Sequence, residues 1–93
     1  MDQLTGARVL ITGSSRGIGA KTAEYLSEAG ADVVINYRNK AQRAEKLVTQ
    51  LEANGRKAMA LGADLTDPLD VARMVTAIRD EWGGLDILVL NAS

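Results

Sequence analysis

Seven successive segments of the chain alternate between two hydrophobic periods, and this alternation constrains the fold more than any other feature. Residues 8–12 form a short apolar run bounded by Gly6 and Gly13, the pattern of a buried strand. From residue 18 to 29, Ile18, Thr22, Tyr25, Leu26 and Ala29 recur at helical spacing, and Gly30 follows where a helix-ending glycine belongs. Residues 33–35 are a second strand core. Residues 40–54 repeat the helical spacing through Ala41, Ala44, Leu47, Val48 and Leu51, and residues 58–61 read as a third strand. Asp67-Pro68 announces a third helix, with Asp67 accepting from free N–H groups and Pro68 standing where no N–H is needed. Its stripe runs through Val71, Met74, Val75, Ile78 and Trp82 to Gly83-Gly84, and residues 85–90 form a fourth strand. The order β-α-β-α-β-α-β predicts an α/β fold: a doubly wound parallel sheet, helices on both faces, right-handed crossovers. The strand runs lack period-two alternation, as expected when both sheet faces are covered. With 93 residues this is one domain at most, and Ala supplies 14 of its hydrophobic residues while Phe is absent, so the core is light in volume.

The residue types that are missing narrow the function classes. Without Cys there is no disulfide staple, and without His a zinc site is excluded in practice. Asp64, Asp67 and Asp70 lie close in sequence, but nothing completes a coordination sphere, so no metal is expected. Eleven basic against twelve acidic residues give a net charge of −1, which offers no footprint for nucleic acid and no basic stripe for a membrane surface. The longest apolar stretch, residues 87–90, is far too short to span a bilayer. Met1-Asp2-Gln3-Leu4 does not begin a secretory signal, and a cytoplasmic location is expected.

The chemistry concentrates between the first strand and the first helix, in Thr12-Gly13-Ser14-Ser15-Arg16-Gly17-Ile18-Gly19. Glycines let the backbone turn sharply and approach a ligand, and a helix N-terminus presents N–H groups with partial positive charge, so this is where a phosphate would be held. Ser14 and Ser15 add hydroxyl donors. A bare strand–helix turn needs one glycine rather than three. Lys21-Thr22 invites a P-loop reading, but the two glycines that motif requires fall on Ser15 and Ala20, which disfavours an NTPase. The spacing G-x-x-x-G-x-G also differs from the dinucleotide fingerprint G-x-G-x-x-G.

That spacing resembles the classical branch of the short-chain dehydrogenase/reductase family. The resemblance runs in register along the chain: the glycine-rich turn, Asn36-Tyr37-Arg38 at the second strand end, Asp64-Leu65-Thr66-Asp67, and Asn91-Ala92. It implies a Rossmann-like fold and a nicotinamide cofactor. By the same resemblance, Gly13, Gly17 and Gly19 surround the pyrophosphate beside Ile18, and Tyr37 stands at the adenosine ribose. Asp64 accepts from the adenine amino group, Leu65 contributes backbone contact, and Asn91 and Ala92 pass beside the ribose and nicotinamide. Where the family carries Asn-Asn-Ala-Gly at the end of the fourth strand, this chain has Leu90 and Ser93 at the first and last positions. An acidic residue after the second strand would hold both ribose hydroxyls and repel a 2′-phosphate. Arg38 follows Tyr37 instead, and Arg16 lies within the turn, so NADP(H) is expected rather than NAD. Asn36-Tyr37-Arg38 looks like members that reduce 3-oxoacyl carriers or other small ketones.

The family's proton donor is a Tyr with a Lys four residues on. Tyr25 is followed at that spacing by Ala29 and Tyr37 by Ala41, so no catalytic residue is expected in residues 1–93. The resemblance therefore implies the N-terminal part of one dinucleotide-binding domain, in an oxidoreductase that moves a hydride between NADP(H) and a small carbonyl or alcohol substrate. By the same resemblance the parent protein is expected to be a homo-oligomer, a dimer or tetramer. The chain by itself is expected to be inactive, and the remainder of the parent protein to hold the catalytic residues. A non-catalytic NADP-binding or sensor module is the alternative.

Overall fold

The computed structural model describes residues 3–91. Seven elements follow in order: β1 (Arg8–Ile11), α1 (Gly17–Glu28), β2 (Asp32–Tyr37), α2 (Ala41–Ala53), β3 (Ala58–Gly62), α3 (Pro68–Trp82) and β4 (Ile87–Val89). The strands form one sheet in the order β3-β2-β1-β4, and every neighbouring pair is parallel. The order reverses beside β1: the first two crossovers move the chain one way, and the third returns it to the other side. In open α/β sheets, a ligand cleft forms outside the carboxyl ends of the strands at such a reversal.

Alternate residues of the strands serve opposite faces. Val9 and Ile11 of β1, with Val33 and Ile35 of β2, pack against Ala23 of α1 and Ala44, Leu47 and Leu51 of α2. Leu10 and Val34 point the other way, onto Met74 and Ile78 of α3. Each fully buried Val or Ile contributes about 1.5–3 kcal/mol. The alanines have a structural purpose, because Ala23 and Ala44 are completely buried and let α1 and α2 lie close to the sheet. α3 starts as its sequence predicts: Asp67 Oδ1 accepts the Leu69 N–H at 3.0 Å, Pro68 is the first helical residue, and Gly83 ends the helix in the left-handed region. Among the described residues, no helix is long and apolar enough to cross a membrane.

β4 is shorter than the apolar run of residues 85–90 suggests. Among the described residues its one strand neighbour is β1, and the ladder between them spans Ile87–Val89. Leu85 packs instead beside the α3-side core, and Asp86 turns to Arg8. Leu88 and Leu90 are exposed along this edge.

Arg8 and Asp86 clamp the starts of β1 and β4. The guanidinium donates to Asp86 Oδ2 at 2.9 Å and Oδ1 at 3.1 Å, and the Arg8 N–H adds a bond at 2.8 Å. A further guanidinium nitrogen reaches the Trp82 carbonyl at the end of α3, at 3.0 Å. The hydrogen bond from the Arg8 side chain, ahead of its backbone N–H, lowers the Asp86 pKa to about 2. Its folded pKa therefore lies below the ordinary carboxylate value of about 3.9, so the stabilisation is present above that value and is lost as the pH falls through about 2. Thermal midpoints should drop on acidification across this window, and Asp86→Asn should flatten the drop. Equal slopes for the two proteins would show that the clamp contributes nothing to acid stability.

Candidate functional site

The glycine-rich turn leaves β1 at Thr12 and enters α1 at Gly17. Gly13 and Gly17 both adopt φ near +60°, a conformation that side chains disfavour, so these two positions require glycine for backbone reasons. Gly19 is held to glycine by space: a Cβ there would stand 2.5 Å from the Gly13 carbonyl oxygen, 2.7 Å from Asn91 Nδ2 and 2.8 Å from Ser14 Cα. The helix therefore packs directly against the turn. No side chain caps the N-terminus of α1, and its first turn contains no acidic residue.

Three buried polar residues fix the turn from below. The Ser14 hydroxyl donates to the Ile11 carbonyl at 2.6 Å and accepts the Asn36 N–H at 3.0 Å. Asn36 Oδ1 accepts the Gly13 N–H at 3.0 Å, and the Ser14 N–H donates to the Asn36 carbonyl at 3.1 Å. Thr12 Oγ1 accepts the Asn91 N–H at 2.9 Å, while Asn91 Nδ2 donates to the Gly13 carbonyl at 3.0 Å. The ends of β1, β2 and β4 are thus tied to one another through the turn. Unpaired, these buried groups would each cost about 1–3 kcal/mol, which explains why they are mutually satisfied.

Above the turn lies a cleft of about 490 Å³ at the carboxyl ends of β1, β2 and β3, lined by Gly13, Ser15, Arg16, Asn36, Tyr37, Arg38, Asn39, Lys40, Arg43 and residues 63–66. Four cationic side chains and one carboxylate, Asp64, border it. The chain as a whole carries a net charge of −1, so the fold concentrates positive charge here. Arg38 reaches across to Asp64, with Nη2 to Oδ2 at 3.4 Å. Asp64 also closes its own turn, accepting the Thr66 hydroxyl at 2.7 Å and the Thr66 N–H at 2.9 Å. The Thr66 hydroxyl, then its N–H, hold the Asp64 pKa below the usual carboxylate value, and the Arg38 charge acts in the same direction.

The structure distributes the residues singled out from the sequence unevenly. Gly13, Ser15, Arg16, Tyr37, Arg38, Asp64 and Leu65 share the cleft. The Ser14 hydroxyl, read from the sequence as a ligand donor, is instead fully buried and used up within the turn, because strand β2 passes directly beneath it. Gly17 and Gly19 shape the entry to α1 without lining the cleft, and Ile18 projects from the helix with 78% exposure. Asn91 braces the turn. Ala92 and Ser93 lie outside the described residues. Asn36, Asn39, Lys40, Arg43 and Thr66 were not apparent as site residues. Asn36 and Thr66 stand within motifs the sequence singles out, without being read as site residues, whereas Asn39, Lys40 and Arg43 leave no such trace.

The short chain dehydrogenase family model matches residues 7–93. Versicolorin reductase 1 of Aspergillus parasiticus is 44% identical over 90 residues, which cover 97% of this chain and 34% of that protein. A short chain dehydrogenase from Burkholderia cenocepacia, solved in complex with NADP, superposes with a TM-score of 0.91 at 49% identity, covering 98% of this chain and 37% of its own. The promiscuous reductase LugOII, which catalyses keto-reduction at C1 during lugdunomycin biosynthesis, superposes with a TM-score of 0.88 at 38% identity, covering 100% of this chain and 41% of its own. The chain spans about a third of the length of the curated relatives it matches. With strand order, glycine-rich turn and sequence all in agreement, the chain belongs to the short-chain dehydrogenase family.

Proposed function

We propose that this chain forms the cofactor-binding part of an oxidoreductase that transfers a hydride between NADP(H) and a carbonyl or alcohol substrate. The observation that carries the reading is the meeting of Arg16 and Arg38 on one cleft, at the carboxyl end of β2, where Asn36-Tyr37-Arg38 supplies no carboxylate. The related Burkholderia structure holds NADP, and relatives are named as reductases, which supports the same assignment.

The residues present fit such a group. The uncapped start of α1 suits a pyrophosphate, with the N–H groups of the first helical turn as donors, and Gly19 lets that helix start stand directly against the turn. Arg38 and Arg16 would hold the 2′-phosphate through charge-assisted hydrogen bonds, and Lys40 and Arg43 add to the local positive field. Tyr37 and Leu65 would wall the adenosine, and Asp64 would accept from the adenine amino group with the oxygen capacity that Thr66 leaves. The bound cofactor supplies or receives the hydride. The chain's own residues bind, orient and stabilise its adenosine and pyrophosphate half. No Tyr-x-x-x-Lys occurs within residues 1–93, so no residue of this stretch is assigned proton transfer to the substrate oxygen.

Titration of the chain with each reduced cofactor tests the reading. A charge-assisted hydrogen bond is worth about 1.5–3 kcal/mol, so NADPH should bind at least about tenfold more tightly than NADH. Equal affinities would overturn the NADP(H) assignment.

A further inference from the structure

Gly62 ends β3, and its register partner across the sheet is Tyr37, the last residue of β2. Directly opposed residues of neighbouring strands put their side chains on the same face. Tyr37 packs on the α1 and α2 side, and a Cβ at position 62 would stand 2.8 Å from Tyr37 Cε2, 2.9 Å from Cζ and 3.0 Å from Oη. The outer end of the ring therefore lies across β3, over the place where any other residue would have a side chain.

Backbone conformation does not explain glycine at this position. Gly62 is absent from the residues with positive φ, and strands disfavour glycine, which offers no side chain to pack and loses more freedom on folding. The ring is the structural reason. Tyr37 is also held at its backbone, where its carbonyl accepts the Ala63 N–H at 2.9 Å, so only its side-chain torsions can respond to crowding. Ordinary carbon contacts lie at about 3.5–4.0 Å, so a methyl group at position 62 must drive the ring end away by about 1 Å. Tyr37 lines the cleft that Arg16 and Arg38 border, and Gly62 does not.

We infer that Gly62 is a positioning residue for the adenosine half of the cofactor: by leaving space for the Tyr37 ring, it sets where that wall of the cleft stands. The inference rests on the cleft being the NADP(H) site proposed above. The arginines then govern the 2′-phosphate, while the Gly62–Tyr37 pair governs the part that NADPH and NADH share.

Two measurements on the full chain test it. In the absence of cofactor, the Gly62 Hα resonances should be displaced by the Tyr37 ring current and return to ordinary positions in Tyr37→Ala. If they are ordinary in the native chain and unmoved by that substitution, the ring does not lie there and the inference is overturned, whatever the cofactor result. The second measurement is a double-mutant cycle read by NADPH and NADH titration. Gly62→Ala should weaken both cofactors by the same factor, about fivefold, and should change neither by more than about twofold in a Tyr37→Ala background. Its unfolding midpoint should not fall, because the atoms that must give are the far end of a flexible side chain. Equal losses in both backgrounds, or none in either, overturn the inference alone. Failure of the native chain to bind NADPH overturns the cofactor reading, and with it the role given to the ring.

Discussion

Gly19→Ala is expected to destabilise the fold by about 1–3 kcal/mol and to weaken NADPH binding at least tenfold. The added methyl group has nowhere to go. Two of the three atoms it would meet, the Gly13 carbonyl oxygen and Ser14 Cα, belong to a backbone whose Gly13 and Ser14 N–H groups are both hydrogen-bonded to Asn36. The third, Asn91 Nδ2, is the atom that donates to the Gly13 carbonyl and braces β4 against the turn. Relief requires α1 to retreat from the end of β1, which moves its first-turn N–H groups away from the site where they would meet a pyrophosphate. Urea denaturation and NADPH titration read the two effects separately. An unchanged midpoint with unchanged affinity would mean that the helix start yields at no cost, and that the close approach has no bearing on binding.

Replacing Arg38 acts in the opposite way, sparing the fold and removing selectivity. Arg38→Ala should lower NADPH affinity about tenfold or more while leaving NADH affinity nearly unchanged, since on the proposed reading it removes a charge-assisted contact to the 2′-phosphate that NADH lacks. Adding Arg16→Ala should bring the two cofactors to near equality. Arg38 is an exposed side chain whose contact with Asp64, at 3.4 Å, is long, so its loss should scarcely move the unfolding midpoint. Asp64 keeps its turn through Thr66 in either case. Isothermal titration with both cofactors decides the matter. If NADPH and NADH lose affinity by the same factor, the arginines shape the cleft rather than read the phosphate.

These two positions differ in how far they can be read from sequence. Gly19 and Arg38 are both visible as part of a motif, but the reason for Gly19 is not: it lies against the Gly13–Ser14 backbone folded back over it and against Asn91, which is 72 positions away along the chain. Arg16 and Arg38 stand out because they lie within, or directly after, recognisable turns. Lys40 and Arg43 do not, because on a helix start a basic residue ordinarily reads as a solvated charge until the sheet shows which cleft it borders. Ser14 illustrates the reverse case. In sequence it is one of two adjacent hydroxyls in a glycine-rich turn, whereas in the fold β2 passes beneath it and takes its hydroxyl into the interior.

The sequence alone determined the alternation of strands and helices, the Asp67-Pro68 helix start, the glycine-rich turn and the family. These follow from period, capping chemistry and backbone freedom, which neighbouring residues encode locally. Only the tertiary structure decided which distant groups meet: Arg8 with Asp86, Asn36 with Gly13, Asn91 with the turn, and Tyr37 over Gly62. Each of those pairings depends on strand order and register, and register is set by burying both faces of the sheet at once, a condition no local stretch of sequence contains.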